Sequence, residues 1–240
     1  MTVVSVAVLA LLTVSCSTSR PRVSFVPTRP TVGMSSRLDM IDVSHHNGAI
    51  DWNTVSRQVG YAYIKATEGY HFVDDKYAIN RDEARRHGVK TGPYHYFRLN
   101  HPAREQFENF RKTVGKKLDL VPMIDLEMDN NNRDRYTPGN LYPEETANLL
   151  EFLRMVEKEY KVTPVLYVGG DQFYRIFIAP SAELRAYPQW RRSIGDTLKR
   201  DFGPEDNVVI WQYNGAGRLD GIDHDVDMNM ILDPGSVVKK

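Results

Sequence analysis

The stretch Val121-Pro122-Met123-Ile124-Asp125-Leu126-Glu127 is apolar on both faces until its end, where one face turns acidic. Alternate side chains of an extended chain point in opposite directions, so Val121, Met123, Asp125 and Glu127 share one face and Ile124, Leu126 and Met128 the other. Working outward, short runs rich in β-branched and aromatic residues recur at 38–44, 61–67, 92–97, 164–168, 187–191, 208–213 and 225–231, making eight strands with 121–127. Helical patterns separate the early ones. Residues 74–87 stop at Gly88, residues 102–114 open on Pro102 and stop at Gly115, and residues 143–160 open on Pro143, Glu144 and Glu145. In the last of these, Ala147, Leu150, Leu153, Val156 and Tyr160 recur every three or four residues and define one buried face. Alternating strands and helices predict a parallel sheet, and eight strands predict its closure into a barrel. The Gly-, Asn- and Asp-rich connection at 214–224 is too short for a crossover helix. The expected fold is α/β, a single irregular TIM-like (β/α) barrel with eight strands and fewer than eight helices, the missing ones in its second half.

Composition agrees with one globular core. The chain has 240 residues, 41% of them hydrophobic and 26% charged, with 31 basic residues against 31 acidic ones and a mean hydropathy of −0.46. It is too apolar to be disordered, and Gly and Pro are too few for low complexity. No internal repeat and no second domain is visible. Arg20, Arg22, Arg29 and Arg37 face no acid within the first 37 residues, so the body that follows is net acidic. An acidic body without a basic stripe does not suit a phosphate backbone, and no nucleic-acid partner is expected.

Residues 3–14 form an apolar run broken only by Ser5 and Thr13 and followed by Ser15-Cys16-Ser17. The run is too short to span a bilayer and has the length of a secretory hydrophobic stretch. A small residue before a cysteine resembles the bacterial lipoprotein cleavage box, with Cys16 as the lipidated residue. Thr13 in place of a leucine and the lack of a basic residue before the run depart from that box. The expected organisation is a signal peptide at 1–16, an exposed Pro- and Arg-rich linker at 17–37, the barrel at 38–232 and a C-terminal tail at 233–240. Cys16 is the one cysteine, so the body offers no disulfide, cysteine metal ligand or thiol nucleophile.

In a β/α barrel the reacting groups stand at the C-terminal ends of the strands and on the loops that follow. Those ends carry Asp42, Lys65 with Glu68, Tyr94 with Tyr96, Asp125 with Glu127, Tyr167, Trp190, Trp211 with Gln212, and Asp227. Residues two apart on a strand have Cα atoms about 6.6–7 Å apart. Each of Asp125 and Glu127 raises the cost of ionising the other, so one should keep its proton near neutral pH. A glycosidase needs such a pair, one acid to protonate the leaving oxygen and one carboxylate to stabilise the positive sugar carbon. Asp42 ends the first strand in the same way, after Leu38 and Met40, and Asp227 supplies a fourth acid. Tyr63, Tyr94, Tyr96, Tyr167, Trp211 and Tyr213 offer aromatic faces for sugar rings, although Tyr63 and Tyr213 serve equally well as barrel core. His45, His46 and His95 lie near the strand mouths, whereas His71, His87, His101 and His224 fall on loops or helix surfaces. Other readings stay open here. The acids could be solvated strand ends, or Asp42, His45, Asp125 and Glu127 could hold a metal in a phosphodiesterase or deacetylase.

Taken together, the strand ends resemble the glycoside hydrolase family 25 lysozymes, which are N-acetylmuramidases. The matching pieces are Ile41-Asp42-Val43-Ser44 with Asn47-Gly48 and Asp51-Trp52, Ile64-Lys65-Ala66-Thr67-Glu68-Gly69, Gly92-Pro93-Tyr94-His95-Tyr96-Phe97 and Met123-Ile124-Asp125-Leu126-Glu127. Pro164-Val165-Leu166-Tyr167, Trp211-Gln212-Tyr213 and Val226-Asp227-Met228-Asn229 complete the series in order. One departure is Trp190-Arg191-Arg192, where the family continues from Trp with small apolar residues. The resemblance implies an irregular barrel with an acidic cleft and cleavage of the β-1,4 bond after N-acetylmuramic acid in peptidoglycan. It implies Glu127 as acid/base and Asp125 as the partner that steadies the charged intermediate, orientation of the substrate's own acetamido group being one route to that; retaining, inverting and substrate-assisted chemistry stay open at this point. Asp42 and Asp227 are then flanking cleft acids, and Tyr94, Tyr96, Tyr167, Lys65, Glu68, Trp211 and Gln212 contact substrate. No metal and no cofactor are expected. The implied protein is exported to the cell envelope and monomeric, acts on peptidoglycan glycan strands, and is held to a membrane through Cys16. A non-catalytic glycan-binding lipoprotein that kept the cleft is the competing expectation.

Overall fold

A computed structural model describes residues 38–128, 134–195 and 207–239. The signal segment, Cys16 and the linker at 17–37 lie outside the described residues. The strands are β1 (Leu38–Val43), β2 (Val59–Glu68), β3 (Phe72–Val73), β4 (Lys90–Tyr96), β5 (Met123–Leu126), β6 (Val165–Val168), β7 (Gln189–Arg192), β8 (Val208–Leu219) and β9 (Ile222–Ile231). Sheet order runs β1-β9-β8-β7-β6-β5-β4-β2, and pairing of β1 with β2 closes eight strands into a barrel. The short β3 folds back antiparallel on the end of β2, outside the ring. Neighbours from β1 through β8 are parallel, whereas β9 runs antiparallel to both β8 and β1.

That reversal is why no crossover helix is needed late in the chain. Residues 214–224 do not form a loose connection. β8 runs on to Leu219, the chain turns at Asp220 and Gly221, and β9 starts at Ile222. Gly221 takes φ +94°, a conformation that costs a side chain dearly. The β8–β9 register shifts between Gln212 and Asn214 and again around Gly217. Glycine-rich bulges of this kind bend a ribbon without ending it.

Six helices cover the barrel among the described residues: α1 (Trp52–Val55), α2 (Tyr77–Arg86), α3 (Ala103–Val114), α4 (Pro143–Tyr160), α5 (Asp171–Phe173) and α6 (Ala182–Ala186), with a wide π turn at Tyr174–Ile178 after α5. The second half of the barrel therefore keeps helices after β5 and β6. α4 buries Leu149, Leu150, Phe152, Leu153, Val156 and Tyr160, a broader face than the simple spacing implies, and it leaves Ala147 exposed. No helix among the described residues is long and apolar enough to cross a membrane.

Two apolar layers result. One lies between the sheet and the helices. The other fills the barrel with side chains such as Met40, Tyr63, Met123, Val165, Trp190 and Ile210. The C-terminal segment seals the bottom: Val121 N–H donates to the Val237 carbonyl at 2.9 Å, Lys239 N–H donates to the Asp119 carbonyl at 3.0 Å, and Val237 is fully buried. With the C-terminal segment covering that end, the inward-facing acids stand at the opposite mouth.

Candidate active site

Strand register assembles the mouth. Asp42 of β1 pairs directly opposite Asp227 of β9. Across the parallel strands Tyr96, Asp125 and Tyr167 stand side by side on β4, β5 and β6. Glu127 follows two residues after Asp125, just past the end of β5, and Glu127, Tyr167, Gln212 and Asp227 line one concave cleft together with Arg192. Asp42, Tyr94 and Asp227 line its continuation beside His46. The structure thus brings Asp42, Asp125, Glu127 and Asp227 to one mouth.

The acids differ in how they are held. Trp190, buried in the barrel, donates its indole N–H to Asn229 Oδ1 at 3.0 Å, and Asn229 Nδ2 in turn donates to Asp42 Oδ1 at 2.8 Å. Asp125 is buried, and its Oδ1 has no hydrogen-bond partner among the described residues. Glu127 rests on the bare Cα of Gly169, where any Cβ would overlap its side chain. The Tyr167 hydroxyl donates to Gln212 Oε1 at 2.7 Å, which fixes two polar side chains across the floor.

Electrostatics follow from crowding these acids in a poorly solvated pocket. Burial, then the charge of Asp227, pushes Asp42 well above the usual carboxylate range. Burial, then the charge of Glu127, does the same to Asp125, against a smaller pull from Lys65. Glu127 is raised by burial, with Arg192 pulling the other way and Asp227 adding to the rise. Asp227 is raised by burial, partly offset by Gln212 and Arg192. Four such acids share protons as a group, so the cleft keeps protons to higher pH than isolated carboxyls would.

Lys65 is buried and committed: its Nζ donates to Glu68 Oε2 at 2.6 Å, and Arg98 closes on the other Glu68 oxygen through Nε at 3.0 Å and through Nη2. Burial alone would raise Glu68, but the hydrogen bonds from Lys65 and Arg98 outweigh it and hold Glu68 below its ordinary range. The same Lys65 ammonium lies 5.2 Å from the Tyr96 ring centre.

Some positions differ from expectation. Trp211 is fully buried in the outer layer and donates its indole N–H to the Ser193 carbonyl at 2.7 Å, while its neighbour Gln212 faces the mouth. His95 is also an outer-face residue, enclosed between Thr67 Oγ1 at 2.7 Å and Gln106 Oε1 at 3.2 Å, and burial lowers its pKa to about 3. His45 is taken up by buried Asp74 at 2.8 Å, so it is not beside the acids. Among the described residues no group of three His, Cys, Asp or Glu side chains has the geometry to hold a metal ion. Tyr63 and Tyr213 are core. Sequence reasoning missed Asn229, Gly169 and Arg192 as parts of the site. Asn229 shares a strand face with Asp227 and Arg192 with Trp190, so alternation pointed to both, whereas Gly169 carried no signal beyond following a strand.

Comparison with known proteins agrees with this geometry. The family model for glycosyl hydrolases family 25 matches residues 41–222. The uncharacterized protein YegX of Escherichia coli K12 is 31% identical over 224 residues, covering 88% of this chain and 74% of the relative. Lysozyme M1 of Streptomyces globisporus is 26% identical over 215 residues, covering 85% and 71%. A family 25 glycosyl hydrolase structure from Bacillus anthracis superposes with a TM-score of 0.73 at 27% identity, covering 87% of this chain and 94% of that one.

Proposed function

The chain belongs to glycosyl hydrolase family 25 and is a glycoside hydrolase, and from that premise we propose that it is an exported muramidase. In this reading it cuts the β-1,4 bond between N-acetylmuramic acid and N-acetylglucosamine in peptidoglycan, with Glu127 as acid/base and Asp125 as its partner. The observation that carries the assignment is the pairing of a half-buried Glu127, whose pKa burial raises, with a buried Asp125 whose Oδ1 lacks a partner among the described residues. A buried polar atom without a partner is costly, and substrate can satisfy it. The lysozyme name of the Streptomyces globisporus relative supports the same reaction class.

Protonated Glu127 gives its proton to the glycosidic oxygen as the bond to the sugar carbon breaks, and the resulting carboxylate then takes a proton from the attacking water. Asp125 holds the substrate's acetamido group so that its carbonyl oxygen faces the sugar carbon, an act that fits an acceptor with no protein donor. Asp42 and Asp227 flank the reacting sugar. Tyr94, Tyr96, Tyr167, Gln212, Lys65 and Glu68 contact the glycan. Trp211 backs Gln212 from outside the barrel.

Glu127→Gln is expected to lower turnover about 10²- to 10⁴-fold while glycan binding persists, because the change removes a proton donor and little volume. Turnover at the wild-type rate contradicts the assignment. Tight muropeptide binding by wild type without turnover supports a binding lipoprotein instead, and activity lost in chelator supports the metal-dependent reading. Cys16 as lipid anchor is tested separately: Cys16→Ala should shift the protein from the membrane fraction to the soluble one, and unchanged membrane retention removes that part of the proposal.

A further inference from the structure

Arg192 sits at the exposed end of β7, on the cleft side of the strand. It is the cation that lines the cleft with Glu127 and Asp227, yet its side chain makes no ion pair or hydrogen bond among the described residues. The space above Gly215, where a side chain would otherwise stand, is bounded by Arg192 Nη2 at 3.3 Å and Asp227 Oδ1 at 3.4 Å from the position of a Cβ. The guanidinium is therefore drawn toward the acids without closing on either of them. The side chain lines the cleft, and among the described residues nothing takes up its donors.

A planar guanidinium with free donors is suited to a carboxylate, which it can meet with two parallel N–H···O bonds. An acidic cleft otherwise repels an anionic substrate, so one cation beside the reacting acids sets where a negative group can lie. Resting on the muramidase reading above, we propose that Arg192 forms a carboxylate-recognition subsite next to the scissile bond, which selects glycan whose muramic acid substituent carries a negative charge. Two sources share that chemistry. One is the free lactyl carboxylate of muramic acid without peptide; the other is a carboxylate of the attached peptide stem.

Arg192 also draws Glu127 toward ionisation, and that influence acts on every substrate alike. Discrimination between charged and neutral substrates separates the two effects. The test compares wild type, Arg192→Ala and Arg192→Lys on three soluble glucosaminyl–muramyl oligosaccharides: one with free lactyl carboxylates, one with those carboxylates converted to methylamides, and one bearing peptide stems. Rates are read as kcat/KM, and binding is read by calorimetry in the Glu127→Gln background.

The preference of wild type for charged over methylamide substrate should fall about 10- to 100-fold in Arg192→Ala, the size of hydrogen bonds to a charged group. Arg192→Lys should restore part of it. A fall confined to the free-lactyl substrate places the recognised carboxylate on the lactyl group, and a fall confined to the peptide-bearing one places it on the stem. An unchanged preference in Arg192→Ala overturns the subsite, as does an equal fall on charged and neutral substrates. Absence of turnover by wild type on all three substrates defeats the muramidase reading instead, while the calorimetric preference still decides for or against the Arg192 subsite.

Discussion

At the scale of single residues, the site depends on an atom that is missing. Gly169 has no Cβ, and the Glu127 side chain occupies the space one would fill. Glu127 is the movable partner, so Gly169→Ala should displace the acid and leave the fold nearly intact. The expected outcome is a kcat lowered on the order of 10²-fold, as a misplacement of about 1 Å can cause, with little change in melting temperature. Arg192 gives a second expectation. Activity that needs protonated Glu127 falls as pH rises through the raised pKa of that group. Removing a cation that favours the carboxylate raises the pKa further, so the alkaline limb of the kcat profile in Arg192→Ala should move to higher pH. An unmoved limb would show that Arg192 and Glu127 do not interact.

At the scale of elements, outcome depended on parity and on direction. Strand parity placed Asp42, Asp125 and Glu127 correctly because each strand alternates cleanly toward its C-terminal end. It misplaced Trp211 by one residue, because an aromatic near a strand end has no sign that tells a sugar platform from core. His95 shows the same ambiguity: it lies between Tyr94 and Tyr96 and so faces outward, stacked on Phe152 of α4 with ring centres 4.9 Å apart. Phe152→Ala should therefore cost about 3–5 kcal/mol, read as a lower urea midpoint at unchanged slope. Direction was the harder problem. The sequence at 214–224 reads as loop because Gly and Asn are poor strand formers, and only pairing with β9 makes a strand of it. The antiparallel β9 was not legible for that reason, although the short connection already excluded a helix.

At the scale of the molecule, the barrel separates its two ends. The plugged lower end and the two apolar layers hold the fold, and four acids are crowded where they weaken it. In the unfolded chain Asp125 titrates near 4, and in the folded barrel its pKa lies well above that. Between those values the native state binds more protons than the unfolded one, so stability falls as pH rises across the interval. Asp125→Asn should consequently melt above wild type at neutral pH, by about 2–4 °C for each kcal/mol recovered in a chain of this size. The gain should shrink as pH drops toward about 4, and a gain that instead grows on acidification would reverse the sign argued for the burial of Asp125.

The central claim is that Glu127 at this mouth cleaves after muramic acid. Purified peptidoglycan is incubated in chelator with wild type or Glu127→Gln, reduced with borohydride, and its new reducing ends are identified by mass spectrometry. The account predicts reduced muramic acid ends from wild type that are nearly absent with Glu127→Gln. Reduced glucosamine ends from wild type, or muramic acid ends in equal amount from both proteins, would contradict it.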